Sequence, residues 1–220
     1  MDYEFQWRPV LRSLPDMLWG ALQTIEIAGL AMVLGTILAI FLALAKRSGK
    51  NYLSLPADMW IETARNTPAL FQIYMLFFGL GSLGLQVGSY AALLLGITFN
   101  NAGYLAETFR GGFAAVPETQ TRAARSLGMG AVQTQWHIVI PQMLRAVFHA
   151  MTNQMVWSVL MSSLGVIVGL TTDLTGVTQE LNVVTYRTFE YFFVAACLYY
   201  LISKAFTLSA RVVAWRLFRY

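Results

Sequence analysis

Polar side chains recur inside the apolar segments of this 220-residue chain, where each needs a hydrogen-bond partner or water. The residues are Glu26, Asn66, Thr67, Gln72, Asn100, Asn101, Glu107, Asn153, Gln154, Ser158, Ser162 and Ser163. Their amide and hydroxyl groups suit hydrogen bonding to a polar solute better than catalysis, because no nucleophile, base and orienting group recur at a workable spacing. Two interpretations stay open: a polar-lined route through a helical bundle, or hydrogen bonds that hold its helices together.

The candidate solute route is drawn from these polar residues. It comprises Asn66, Thr67, Gln72, Asn100, Asn101, Gln154, Ser158 and Ser162. Because Pro68 lacks a backbone donor, we expect carbonyls near Ala64 and Arg65 to be free to face a cavity or bind a ligand. A membrane enzyme with Glu26 or Glu107 as general base is the catalytic alternative.

The composition favours a membrane protein. Of the 220 residues 57% are hydrophobic and only 12% are charged, so one water-soluble core cannot hide the apolar side chains behind a charged surface. The opening segment contains acids and lacks a basic n-region, so we expect no cleaved signal peptide. The lone Cys197 excludes an intramolecular disulfide, and His137 and His149 lack a carboxylate or thiol cluster for a metal site.

The lengths of the apolar segments predict five membrane-spanning helices, since about 20 apolar residues cross a bilayer. The predicted spans are Met17 to Ala45, Trp60 to Leu80, Gly88 to Ala106, Ala146 to Leu170 and Tyr191 to Leu208. Basic residues concentrate at alternate ends, at Lys46, Arg47, Lys50, Arg110, Arg122, Arg125, Arg145, Arg211, Arg216 and Arg219. The positive-inside rule therefore predicts an N-terminus outside and a C-terminus in the cytoplasm, and the net charge of +4 needs no nucleic-acid partner.

A polar insertion, residues 116–145, separates the third and fourth predicted spans. Pro117 and Glu118 predict a helix start, and Gly128 and Gly130 predict its end. Ala123, Ala124 and Leu127 give this helix a small face that suits docking of another protein. The alternative is an amphipathic helix on the lipid surface, with Arg122 and Arg125 at anionic headgroups.

The remaining segments give two further expectations. Ala131 to Ile140 should form a second piece of the insertion that turns at Pro141 before re-entering the membrane. Gly165 and Gly169 form a GxxxG pair, which predicts close approach of another helix at a packed interface or occurs by chance.

These motifs together carry a resemblance to a known family. Val116-Pro117, Gln120, Ala123-Ala124, Leu127-Gly128 and Pro141-Gln142 resemble the cytoplasmic EAA loop of ABC-importer permeases of the polar amino-acid (histidine, glutamine and glutamate type) family. The segments Arg65-Asn66-Thr67-Pro68, Ala102 to Glu107 with Phe109 to Gly112, Asn153-Gln154, and Ser162-Ser163-Leu164 with Asp173-Leu174 resemble further signatures of that family. The matches run in order from the second span to beyond the fourth.

Three departures from the family pattern, at four positions, matter for the interpretation. Arg122 stands where the loop usually has Glu, and Thr119 replaces a usual Gly. Leu160 and Met161 occupy the positions of a usual Lys-Asp pair, which removes two charges near the implied route. The identity of the substrate therefore cannot be carried over from the resemblance.

The resemblance implies an all-α permease of the type I ABC importer fold, with residues 1–220 as one transmembrane domain and a coupling loop at about 112–145. It implies ATPase coupling through Pro117, Gln120, Arg122, Ala123, Ala124, Arg125, Leu127, Gly128 and Pro141. The implied partners are an ATP-binding subunit dimer, a second identical or paralogous permease, an extracytoplasmic solute-binding protein and the lipid of a bacterial inner membrane.

Nucleotide chemistry is expected in a partner. The chain lacks a Gly-rich phosphate loop ending in Gly-Lys-Ser or Gly-Lys-Thr, so we expect no cofactor here and expect ATP and Mg to bind the partner ATPase. A zwitterionic amino acid needs amide and hydroxyl groups to replace its water in the bilayer. A non-transporting membrane scaffold or receptor is the other function left open.

Overall fold

The computed structural model describes residues 3–218, which form helices and connecting turns without a β-strand. The first helices are α1 (Trp7–Arg12), α2 (Leu14–Arg47), α3 (Asn51–Asn66), α4 (Ala69–Tyr74) and α5 (Leu80–Ser82), with a π-helical turn at Met75–Gly79. They are followed by α6 (Ser89–Ala114), α7 (Glu118–Ser126), α8 (Ala131–Thr134), a π-helical turn (Gln135–Val139), α9 (Ile140–Met161), a 3₁₀ segment (Ser162–Val168), α10 (Leu174–Thr185) and α11 (Thr188–Leu217). Arg219, counted above among the basic residues, lies outside the described residues.

Within residues 3–218, three helical stretches are long and apolar enough to cross a membrane: Leu14–Arg47, Ala131–Val168 and Thr188–Leu217. They contain the first and fifth predicted spans, whereas the fourth extends two residues beyond Val168, because Gly169 adopts a left-handed conformation that ends the helical stretch. The third predicted span lies in α6. This helix is continuous and long enough to cross a membrane, but the polar pair Asn100 and Asn101 makes it less apolar than the other three. The second predicted span is divided between α3 and α4, because Thr67 and Pro68 adopt extended backbone angles.

Small residues bring α2 and α6 together at the centre of the bundle. The buried positions of α2 include Ala28, Ala31, Gly35 and Ala39, whose short side chains let a neighbouring backbone approach closely. A Cβ added to Gly35 would lie only 2.6 Å from Cβ of Asn101. Apolar clusters follow α2 along its length, so this helix forms the axis about which the other spans pack.

The GxxxG pair does not form a face of an α-helix. Gly165 lies in the 3₁₀ segment, where an added Cβ would meet Leu93 at 2.7 Å. Gly169 ends that segment with a φ of +78°, a left-handed conformation that favours glycine. The two glycines therefore do not share the face of an α-helix, because the α-helix stops at Met161, but Gly165 does permit the predicted close approach of another helix, α6.

Pro141 does not turn the chain. Residues from Ala131 to Val168 form one continuous helical stretch, in which Pro141 occupies the first turn of α9. In the preceding π-helical turn, Ile140 donates its backbone N–H to the Gln135 carbonyl, five residues earlier. A wide turn of this kind accommodates the missing donor and the ring of a following proline, so the predicted break at Pro141 is wrong.

Candidate coupling surface and polar clusters

The helix α7 projects from the end of α6 and is joined to the next helix by a tight turn. Pro117 precedes it with an extended backbone, and Glu118 occupies its first turn, where a negative charge is favourable. Arg122 pairs with Glu118 at 2.7 Å on the exposed surface. At the other end Arg125 donates a hydrogen bond of 2.8 Å to the Met129 carbonyl, so the predicted helix and its two ends are confirmed.

Gly128 makes the turn after α7 possible. Its φ of +84° lies in the left-handed region, which side chains with a Cβ rarely adopt. The turn is closed by backbone bonds from Gly128 to the Arg125 carbonyl at 3.1 Å and from Met129 to the Ala124 carbonyl at 3.2 Å. Gln133 then accepts the Gly130 N–H at 2.9 Å and caps α8.

The two alanines of α7 lie on opposite surfaces. Ala124 is 5% exposed and buried within this chain, whereas Ala123 is exposed beside Leu127, which is 85% exposed. The expectation that both alanines offer one small outward face is therefore wrong, because Ala124 packs inward. The exposed surface of α7 instead combines Ala123 and Leu127 with the guanidinium groups of Arg122 and Arg125.

A side-chain contact joins α7 to the beginning of α9. The Gln142 amide donates to the Gln120 side-chain oxygen and also to the Ile138 carbonyl at 2.8 Å. Gln120 was a predicted coupling residue, and Gln142 belonged to the same motif without being assigned a role. The bond fastens α7 to the continuous helical stretch Ala131–Val168, hereafter called the rod, which contains Pro141.

The carbonyls freed by Pro68 are occupied by side chains of the same chain. Gln72 donates from Nε2 to the Ala64 carbonyl at 3.0 Å and to Thr67 Oγ1 at 2.9 Å. Asn100 donates to the same Ala64 carbonyl at 3.2 Å and to Gln72 Oε1 at 3.2 Å. We call Ala64, Thr67, Gln72 and Asn100 the amide clip. The expectation that this carbonyl is free for a ligand is wrong, because buried backbone groups take the nearest donor.

A second group of predicted route residues joins α6 to α9. Asn101, which is fully buried, donates to Ser158 Oγ at 2.9 Å and accepts from Gln154 Nε2 at 2.8 Å. Ser162 is also buried, and its hydroxyl donates to the Val159 carbonyl at 2.8 Å. These contacts match the interpretation of polar residues as bonds between helices.

The predicted route residues therefore do not converge on one polar cavity. Asn66 is exposed, Ser162 bonds within its own helical stretch, and the others fall into the amide clip or the contact between α6 and α9. Thr67 and Gln72 border a cavity of about 360 Å³ between α2, α3, α4 and α6, but its other walls include Trp60, Phe71 and Phe99. Their assignment to the solute path stays a prediction.

Glu107 organises an ionic cluster where α2, α3 and α6 meet, one residue beyond the predicted third span. Its carboxylate accepts from Arg110 at 2.8 Å and from Lys46 at 3.1 Å, and Arg65 lies 3.8 Å away. Lys46 also pairs with Asp58 at 2.8 Å. Hydrogen bonds from Arg110 and Lys46 lower the pKa of Glu107 to about 2, which makes it a weak base at neutral pH.

From the sequence, Glu107 is a candidate base. Its ion pair with Lys46, and the pairing of Lys46 with Asp58, are not indicated there. Its i,i+3 spacing to Arg110 was the available signal, whereas the partners on α2 and α3 depend on tertiary packing. Within residues 3–218, no group of three or more His, Cys, Asp or Glu side chains is arranged to hold a metal ion.

The fold and its surfaces define an α-helical membrane protein in which a short exposed helix is attached to a membrane-length rod. The chain belongs to the family described as the binding-protein-dependent transport system inner membrane component, whose model matches residues 31–219. It is therefore the permease component of an ABC importer, located in the inner membrane, and ATP is hydrolysed by a partner subunit. Nothing in these similarities supports a non-transporting scaffold or receptor.

The sequence similarity to individual relatives extends over nearly the whole chain. An octopine transport system permease protein of Rhizobium radiobacter is 32% identical over 94% of this chain and 88% of its own length. The histidine/lysine/arginine/ornithine transport system permease protein of Escherichia coli strain K12 is 28% identical over 90% of this chain and 87% of its own.

Solved structures have the same fold. The crystal structure of an amino acid ABC transporter with histidines contains a chain that superposes with a TM-score of 0.90 at 28% identity, over 97% of this chain and 100% of that one. A chain of the inward-facing MetNI methionine ABC transporter superposes with a TM-score of 0.70 at 18% identity, over 92% and 98% of the two chains, which supports the fold alone.

Proposed function

We propose that this permease carries a polar amino acid into the cytoplasm by alternating access, and that α7 is the element that receives movement from the ATPase. The observation that carries the proposal is the attachment of α7 to the rod through Gln120 and Gln142. A displacement of α7 is then transmitted to a helix long enough to reach across the bilayer. The amino-acid substrate is supported by the relatives, which belong to an octopine transport system and a histidine/lysine/arginine/ornithine transport system.

The proposed docking surface comprises the exposed side chains of α7 and the turn that follows it. Arg122, Ala123, Arg125 and Leu127 are exposed, Ala124 packs behind them, and Pro141 is an exposed residue of the neighbouring rod. Leu127 supplies an apolar contact, whereas the two arginines, each with one partner in this chain, have further N–H donors for acceptors on the ATPase. Because Arg122 replaces a usual glutamate, we expect the matching ATPase groove to present negative charge at this point.

The proposed orientation places the N-terminus outside and α7 in the cytoplasm. It is supported by the basic residues, because Lys46 of α2 contacts Glu107 of α6 and Gly112 of α6 abuts Val147 of α9. The ring of Phe148 in turn meets that of Phe218, so the basic ends of these helices share one end of the bundle.

We further propose that residues 1–220 act as one domain in an assembly with a second permease, identical or paralogous. Two ATP-binding subunits and an extracytoplasmic solute-binding protein complete this assembly. In each cycle, closure of the two ATPases displaces both α7 helices and tilts the attached rods. The solute path thereby opens to one side of the membrane at a time.

A pair of matched glycine substitutions tests the coupling role. Gly128 and Gly84 both have a φ of +84°, and an added Cβ meets no atom within 4 Å at either position. Gly128→Asp and Gly84→Asp therefore introduce the same backbone strain and the same charge at opposite ends of the bundle. In reconstituted vesicles we expect Gly128→Asp to lose at least about tenfold in amino acid imported per ATP hydrolysed, a coupling loss of about 1.4 kcal/mol or more.

Gly84→Asp should retain normal uptake if its loop has no part in coupling. Equal losses in the two variants would mean that backbone strain, not ATPase docking, causes the defect. Normal uptake by Gly128→Asp would refute the role of the α7 turn. Co-purification of each variant with the ATPase establishes that both reach the assembled state.

A further inference from the structure

A polar cleft of about 230 Å³ separates α9 from α11. It is lined by His149, Thr152 and Asn153 of α9 and by Thr207 and Arg211 of α11, among others. The cavity beside the amide clip is instead walled largely by aromatic and aliphatic side chains. The function proposed above gives none of these cleft residues a binding role, so the purpose of the cleft has to be sought in its own chemistry.

The polar side chains of the cleft differ in whether they already have partners. Thr152 and Thr207 each donate to the backbone carbonyl four residues earlier, at 2.9 and 2.8 Å. His149, Asn153 and Arg211 form no side-chain hydrogen bond or ion pair with the described part of the chain. All three carry N–H donors, and the guanidinium of Arg211 is permanently charged. The groups left free in the cleft therefore suit an anion.

Neither of the two helices supplies an acid that could neutralise Arg211. The sequence has no aspartate or glutamate between Glu118 and Asp173, which includes all of α9, and none after Glu190. Arg145 lies one helical turn before His149 on α9 and adds a second exposed positive charge. The charge at the cleft is therefore available to a ligand.

The cleft lies at the expected edge of the bilayer. Arg211 is three residues beyond Leu208, where the fifth predicted span ends, and His149 is three residues inside the fourth, which begins at Ala146. At 1.5 Å per residue, both lie within about 5 Å of a predicted span end. The proposed orientation makes this the cytoplasmic edge, where basic pockets between membrane helices bind lipid headgroups.

Exposed apolar side chains adjoin the charged group. Leu208 and Val212 lie on α11 on either side of Arg211, and both have more than half of their surface exposed. Trp215, one turn further along, is exposed and of a type that membranes favour at their interfaces. A phospholipid matches both the charge and the apolar surface, whereas a soluble anion matches only the charge.

We propose that this cleft binds the phosphate of an anionic phospholipid, with Arg211 as the charge partner and His149 and Asn153 as further donors. Because neither helix offers a carboxylate to an ammonium group, the site favours phosphatidylglycerol over a zwitterionic lipid such as phosphatidylcholine. The bound headgroup joins α11 to the rod through contacts with both helices. This site is independent of the solute that the importer carries.

The test titrates the purified complete importer in detergent with phosphatidylglycerol and phosphatidylcholine that have the same acyl chains. Native mass spectrometry counts the bound lipids and gives a Kd for each. The wild type should bind phosphatidylglycerol with a Kd at least about tenfold below that for phosphatidylcholine. Arg211→Gln should raise the phosphatidylglycerol Kd about tenfold, whereas Arg211→Lys, which keeps the charge, should raise it less than about threefold.

Two further variants separate a built site from diffuse attraction to positive charge. Arg216→Gln removes the same charge from an exposed position of α11 outside the cleft and should leave the Kd unchanged. Asn153→Leu changes no charge and should raise the phosphatidylglycerol Kd about threefold. Equal losses in Arg211→Gln and Arg216→Gln, with none in Asn153→Leu, would overturn the site. Equal affinity of the wild type for the two lipids would overturn it as well.

Other occupants give different results in the same experiment. Inorganic phosphate at millimolar concentration should not displace the lipid, and displacement would assign the cleft to a soluble anion. A cleft covered by another subunit would leave lipid binding unchanged in Arg211→Gln while weakening co-purification of that subunit. Either result would contradict a lipid site.

Discussion

Two proline-containing spans of this permease differ in what the proline does. At Pro68 the chain becomes extended, so that α3 and α4 are separate helices. At Pro141 the helix continues, because the π-helical turn before it absorbs the missing hydrogen bond. The first site is then fixed to α6 by the amide clip, whereas the second lies within one continuous helical stretch from α8 into α9.

The difference indicates that the two regions have different roles, one held in place and the other moving with α7. The amide clip ties Ala64 to Gln72 and Asn100, which holds the broken span in place. The rod is bonded to α7 through Gln120 and Gln142, and the proposed function requires it to move with this helix and with the α6 residues bonded to it through Asn101. A proline therefore does not by itself identify a hinge, since the surrounding hydrogen bonds decide whether the helix bends.

A break introduced into the rod should have the largest effect on this comparison. Ala150 is an exposed position of α9, and Ala150→Pro removes one backbone bond at a cost of about 3 kcal/mol and kinks the helix. We expect uptake by the assembled complex to fall at least about tenfold, while Ala150→Ser, the control, transports normally. A complex with Ala150→Pro that assembles and transports at the wild-type rate would show that a continuous rod is unnecessary.

Loss of the amide clip should have a smaller effect, and on stability rather than coupling. Gln72→Leu leaves the Ala64 carbonyl with Asn100 alone and should destabilise the protein by about 2 kcal/mol. The measurement is the thermal inactivation temperature of the purified complex, with Gln86→Leu in the exposed loop as control. Unchanged stability together with altered substrate selectivity would instead assign Gln72 to the solute path.

Removal of the bond between α7 and the rod should have the smallest effect of the three. Gln142→Met and Gln120→Met each delete the side-chain bond between α7 and the rod. Each variant should therefore import about two- to fivefold fewer amino acids per ATP hydrolysed. This corresponds to a loss of coupling free energy of about 0.5–1 kcal/mol. The double variant should be no worse than either single one. Additive losses would mean that the two side chains act through separate contacts.

The general fold could be predicted from the sequence because bilayer thickness fixes the length of an apolar helix. The first and fifth predicted spans lie within helices of membrane length that extend beyond the predicted ends, and the fourth does so except for its last two residues, Gly169 and Leu170. The break at Thr67 was missed, because the second span was predicted as one helix through it, although proline restricts its predecessor to extended angles. The continuation through Pro141 was missed because a π-helical turn depends on packing around it and has no simple sequence signal.

The hydrogen-bond partners of the polar residues could not be predicted from the sequence. Their types and depth identified Gln72, Asn100, Asn101, Gln154 and Ser158 as side chains that need partners. Which partner each obtains depends on the register of α6 against α3 and α9, and neighbouring backbone and side-chain groups proved to be available. The unpaired hydroxyl of Ser203 could not be distinguished in sequence from the paired hydroxyl of Ser163.

The most direct test of rigid coupling is a pair of distances measured by electron spin resonance in the complete importer. One pair of labels joins Ala123 of α7 to Trp157 of α9, and the other joins Ala123 to Tyr74 of α4, all exposed positions. When ATP closes the ATPases, the distance between residues 123 and 157 should stay constant while that between residues 123 and 74 changes. A changing distance from residue 123 to 157, with a constant one from 123 to 74, would contradict the proposal that α7 and the rod move as one body.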